Sequence, residues 1–175
     1  MKSWIAAFLP AVVALALVGG CSREDRSGAD EGARPLVTPD EVRSLLNTRG
    51  AEGAIAELSG GEGPNRYQAV LAGMADGEAG WLELAPLLRP GAEGEAGDGL
   101  MAALSRGLIR NPAGVLALAS DALPLVEICG ESRIGPAEAD VAAFKREATA
   151  AVRALDAPAL KTARATCLEG LEAIP

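Results

Sequence analysis

From Thr38 onward the apolar residues of this chain recur at steps of three and four, and no stretch alternates with period two over strand length. That pattern predicts helices and no sheet. It is clearest near the end. Val141, Phe144, Ala148, Val152 and Leu155 form one stripe, and Leu160, Ala163, Cys167, Leu171 and Ile174 form another. Asp156 and Pro158 mark the start of the second helix. Two helices joined so closely pack as an antiparallel hairpin. Pro136 is expected to open the first of them, with Glu138 and Asp140 in its first turn, where acids suit the helix dipole.

The beginning of the fold carries an equally definite signal. Thr38-Pro39-Asp40-Glu41 is a capping box: a hydroxyl cap, proline at the first helical position and an acid three residues after the cap. Val42, Leu45 and Leu46 supply the apolar stripe, and Gly50 ends it. A second short helix is expected from Glu52 to Leu58, then a loop over 60–64. Further helices are expected over 65–75 and 78–88, parted at Asp76-Gly77. An acidic, glycine-rich stretch, 90–99, reads as a solvated loop. A helix over 100–110 follows, and Asn111-Pro112 breaks and re-caps the chain. Asp121 is expected to cap a short helix reaching about Cys129, with a loop from Gly130 to Gly135.

Three of the short helices read alike. Glu52-Gly-Ala-Ile55-Ala-Glu-Leu58, Glu78-Ala-Gly-Trp81-Leu-Glu-Leu84 and Pro112-Ala-Gly-Val115-Leu-Ala-Leu118 each place two small residues, an apolar residue and then Leu three later. Helix pairs recurring at such a period are how α-solenoids appear in sequence. Residues 38–120 resemble a short HEAT-like or TPR-like array. The expected fold is therefore all-α, one domain over 36–175: a short irregular helical repeat ending in a hairpin. The alternative is a non-repetitive helical bundle.

The first 21 residues have a different character. Lys2 gives a positive start, Trp4 to Val18 is apolar apart from Pro10, and Gly19 and Gly20 precede Cys21. This is the pattern of a signal peptide, too short and too broken for a membrane-spanning helix. Leu17-Val18-Gly19-Gly20-Cys21 resembles the lipobox of bacterial lipoproteins, although the usual leucine three residues before the cysteine is Val18 here. The resemblance implies cleavage of residues 1–20, lipid on Cys21, and a membrane held through that lipid. Two or three acyl chains anchor stably where one is marginal. Ser22, in place of the Asp that tends to retain such proteins at the inner membrane of Gram-negative bacteria, implies an outer-membrane protein facing the periplasm. Residues 21–35 read as the lipidated cysteine and a flexible tether, with a span of roughly 20 Å.

Composition narrows the function. After position 20 the chain has 155 residues, with 15 basic groups (16 less Lys2) against 24 acidic ones, a net charge of −9. Such a chain gains nothing from counterion release, so no nucleic-acid partner is expected. Only Tyr67, Trp81 and Phe144 are aromatic in this part. The core must come from Ala, Leu, Val and Ile, with helices in close contact, and platforms for sugars or bases are not expected. There is no histidine. That removes the commonest general base, the Ser-His-Asp and Cys-His arrangements and the usual zinc sites. No catalytic residue, metal or cofactor is expected.

Cys129 and Cys167 remain after processing. An exported protein meets an oxidising compartment, where disulfides persist. Both lie on apolar stripes, so a disulfide is the expected state; two buried thiols are the alternative. Trp81 and Tyr67 are candidate binding residues, because large aromatics anchor interfaces, yet Trp81 occupies the position held by Ile55 and Val115 and so suits a core equally. Glu93, Glu95 and Asp98 carry oxygens a hard cation could use, but their spacing does not fit an EF-hand. The reading that follows is a non-catalytic, membrane-anchored helical module that holds another envelope protein. An envelope structural or immunity-type protein is the alternative, and a carboxylate-dependent enzyme is a third.

Overall fold

The computed structural model describes residues 36–60, 63–130 and 138–175. The leader, Cys21, Ser22, the tether, Pro136 and most of the 130–135 loop lie outside the described residues. Among the described residues the fold is all-α, with no strand.

Helix α1 (Pro39–Ser59) begins as its capping box dictates. The Glu41 N–H donates to Thr38 Oγ1 at 3.3 Å, and the Thr38 N–H donates to Glu41 Oε2 at 2.7 Å. Gly50 interrupts it at φ 69°, ψ −179°, so two helical pieces meet at a sharp kink. That positive φ is open to glycine and strained for other residues. Asn65 caps α2 (Arg66–Ala75) by accepting from the Gln68 N–H at 3.2 Å. The chain then turns through Gly77, again at positive φ (72°).

The segment expected as one helix over 78–88 is two single turns, α3 (Ala79–Leu82) and α4 (Ala85–Leu88), followed by a 3₁₀ turn over Arg89–Gly91. Pro86 has no N–H to give the Leu82 carbonyl, so the α-helical ladder cannot continue across it. The loop expected over 90–99 is a second correction. Helix α5 (Gly94–Arg110) already includes its latter half. Gly97 and Gly99 serve packing there. A Cβ on Gly97 would lie 2.5 Å from the Ala92 carbonyl oxygen, and Gly97 and Leu100 are both buried.

Asn111 caps α6 (Pro112–Ala117), accepting from the Gly114 N–H at 2.9 Å. Asp121 does not cap the next helix. Helix α7 (Leu125–Ile128) starts at Pro124, because residues before a proline avoid the helical region. Ser120 instead forms a turn, its hydroxyl oxygen accepting from the Leu123 N–H at 3.2 Å. Helix α8 (Glu138–Ala154), a 3₁₀ turn over Pro158–Leu160, and α9 (Lys161–Ala173) form the hairpin. Its antiparallel register is fixed by Lys145 reaching the Glu172 and Ile174 carbonyls and by Arg164 Nη2 donating to the Arg153 carbonyl at 2.7 Å.

The longer helices pack in chain order: α1 on α2, α2 on α5, α5 on α8. The shorter ones follow beside them, with α3 against α6 and α6 against α9. Ile55, Trp81 and Val115, the matched apolar positions, are all buried, as are Leu58 and Leu84; Leu118 is half-buried against the same core. The core runs unbroken from Val37 to Ile174.

Candidate functional site

Cys129 ends α7 and Cys167 lies mid-way along α9. Both are fully buried, their Cα atoms are 5.3 Å apart and their sulfurs are at bonding distance, 2.03 Å. The Cα separation falls within the range a disulfide spans. The same corner holds Ser105, the one buried polar side chain among the described residues. Its hydroxyl lies 2.6 Å from the Ile128 carbonyl and 3.0 Å from that of Met101, so it ties α5 to the turn carrying Cys129.

Both candidate binding aromatics point into the core. Trp81 is 8% exposed, and its ring fills the space above Gly73, where a Cβ would lie 2.2 Å from Cδ1. Tyr67 is 3% exposed and donates to the Ala96 carbonyl at 3.1 Å. Burial pushes its pKa up to about 12. Neither ring is presented to a partner. Gly73, eight residues before Trp81, was the sequence signal that a large ring needs room there.

The acidic segment lines shallow depressions. Three of them, of about 260, 330 and 390 Å³, share Glu93. Arg89 lines two, but its guanidinium is committed to the backbone: Nε donates to the Ala122 carbonyl and Nη1 to the Ala92 carbonyl, each at 3.0 Å. Among the described residues no three carboxylates or cysteines are grouped to hold a metal ion. Glu95 is exposed in the first turn of α5.

A wider groove of about 450 Å³ runs along the hairpin. Ala142, Lys145, Arg146, Thr149, Ala150 and Arg153 of α8 line it from one side, and Glu172 and Pro175 line it from the other. Arg153 pairs with Glu172 at 3.0 Å, and the Lys145 ammonium holds the carbonyls at the end of α9, so this second side is fixed in place. Sequence reasoning missed the groove. Its stripe on α8 reads as solvated surface, and only the position of the end of α9 makes it concave.

No family model matches the chain, and no curated protein or solved structure matches it. No helix among the described residues is long and apolar enough to cross a membrane.

Proposed function

We propose that this chain is an exported bacterial lipoprotein whose helical domain is a non-catalytic module for holding another protein of the cell envelope. Residues 1–20 are removed, Cys21 carries the lipid, and the tether over 22–35 separates membrane from domain. Ser22 directs the protein to the outer membrane, facing the periplasm. The observation that carries this reading is the run of Lys2, the apolar stretch and Gly19-Gly20-Cys21. The juxtaposition of Cys129 and Cys167 supports it independently, since disulfides belong to oxidising compartments. The hairpin groove supports the interaction role.

Cys21→Ser tests the anchor. The variant accumulates as an unprocessed precursor without lipid label; label surviving on it overturns the reading. Crosslinking the lipidated protein in its own membranes, followed by affinity capture, tests the module. A reproducible envelope partner is expected, and none would remove the interaction role while leaving the anchor standing.

A further inference from the structure

Three features of the molecule invite a partner. The depressions around Glu93 are acidic, but an acidic surface alone selects nothing. The exposed Leu36, Leu87 and Val126 are scattered, before α1, on α4 and on α7. The hairpin groove differs from both, because shape, lining and charge converge there.

Consider its place on α8. At roughly 100° per residue, the stripe from Ala142 to Arg153 lies about 130° round the helix from the buried stripe of Phe144, Ala148 and Val152. The buried stripe belongs to the core in which α8 meets α5. The groove stripe is the side on which one more helix would continue the series α1, α2, α5, α8. It extends for about 16 Å, three helical turns. Ala142, Thr149 and Ala150 in its lining are small enough to let a second helix come close between the longer side chains. The groove is open, with Ala142, Arg146, Ala150 and Arg153 all exposed. A small amphiphile would leave much of its surface wet there, whereas ligand pockets bury most of theirs. A helix brings its own bulk to close the groove.

Charge selects the kind of helix. Residues 36–60 and 63–130 carry twelve acidic and six basic side chains, whereas 138–175 are nearly balanced, with six acidic and five basic. Three of those five cations, Lys145, Arg146 and Arg153, border the groove. Arg146 is 71% exposed at its side chain and meets only its neighbour Glu147, at 3.6 Å; such surface pairs exchange at little cost. We propose that the α8–α9 groove receives an amphipathic helix of a partner protein, one with a small apolar stripe flanked by acidic side chains. This rests on the interaction role proposed above and names its partner class.

The test uses the full mature chain and two synthetic helical peptides, each with an Ala/Leu stripe, one flanked by Glu and the other by Lys. Fluorescence anisotropy is expected to show binding of the Glu peptide that weakens with added salt, and at least tenfold weaker binding of the Lys peptide. Arg146→Glu/Arg153→Glu should weaken the Glu peptide at least tenfold, and Ala150→Trp should block it by filling the groove. Leu87→Glu, on α4, should change nothing. Circular dichroism melts establish that each variant folds, and Arg146→Gln, which keeps most of the stem, provides a milder second variant expected to fall between. Failure of the Glu peptide to bind, or equal binding to the wild type and Arg146→Glu/Arg153→Glu, overturns the proposal. So does binding of palmitate or phosphatidylglycerol vesicles that is lost in the same variants, which would make the groove a lipid site. Such results would leave membrane capture of a partner untouched, so the two readings fail separately.

Discussion

The stacked helices up to Gly130 and the hairpin after residue 138 use the same Ala- and Leu-rich residues but are held by different means. In the stack, short elements meet through glycine contacts and backbone caps: Trp81 lies against Gly73, and Arg89 clamps two carbonyls. In the hairpin, two long amphipathic helices pack through one continuous stripe each, and Cys129–Cys167 fastens the second of them to the stack. Its elements of four to six residues, α3, α4, α6 and α7, cannot hold a helical conformation alone, so the stack depends on tertiary contact wherever one of them follows a longer helix. The hairpin has no such short α-helices: its two, of 17 and 13 residues, match the longer helices of the stack and need a fastening at fewer points.

The largest effect is expected where the two regions are joined. Cys129→Ala/Cys167→Ala removes a bridge across 38 positions, and loop entropy puts its contribution at about 4 kcal/mol. Urea unfolding should show that loss, and hydrogen exchange should show α9 opening before α2 and α5. Equal loss of protection in α9 and α5 would mean that stack and hairpin are one cooperative unit. Thiol counting on denatured, unreduced mature protein should find none; two free thiols would remove the covalent link from the comparison altogether.

Next comes the glycine packing of the stack. Gly73→Ala forces a methyl into the Trp81 ring and should cost about 2–3 kcal/mol, more than its gain in helix propensity returns. Gly170→Ala, in the hairpin, meets Cys129 only at 3.3 Å and should be close to neutral. Trp81→Leu should relieve Gly73→Ala, so the double variant would be less destabilised than the sum of the two. Additive costs would mean that the two residues do not share one space.

These contacts also mark where the sequence stops being readable. The capping box at Thr38, the break between two helices at Gly50, the Asn111 cap and both hairpin stripes follow from local rules, and the structure has them all. The helical start of α5 does not. Gly94, Gly97 and Gly99 have poor helix propensity; the close fit of Gly97 against Ala92 and of Gly99 against Leu71 explains why that segment is helical, and Gly94 starts it at a positive φ. The start of α7 was misread because Asp121 is a good cap by type, while Pro124 decides the geometry. The groove was hidden for the same reason as the start of α5: it is made by two segments nearly 20 residues apart, and neither is concave alone.

Tyr67 offers a smaller effect, confined to the stack. Its folded pKa of about 12 lies above the unfolded value of 10, so the folded state favours the neutral phenol. The corresponding stability is fully present below pH 10. It is lost as pH rises from 10 to 12, because only the unfolded chain then releases the proton. The wild type should lose up to about 2 kcal/mol over that window, measured by short urea titrations, relative to Tyr67→Phe. Parallel losses in the two proteins would mean that the phenol is not the group responsible. Tyr67→Phe should itself cost about 1 kcal/mol at neutral pH, for the bond to Ala96.

The smallest effect asks whether neighbouring corners of the stack are coupled in energy. Gly77 and Asn111 stand at corresponding corners, each just after a longer helix and before a short one, and Asn111 Nδ2 donates to the Gly77 carbonyl at 2.9 Å. The same amide accepts from the Gly114 N–H. One side chain thus caps its own helix and binds the preceding corner. Asn111→Ser keeps an oxygen for the cap but is too short to reach Gly77, so it should cost about 1 kcal/mol for the lost corner bond. Asn111→Ala loses the cap as well and should cost about 1 kcal/mol more. If the serine variant is as stable as the wild type, neighbouring corners are in contact without being coupled. The two corners would then be held together by the apolar core beneath them rather than by the amide that bridges them.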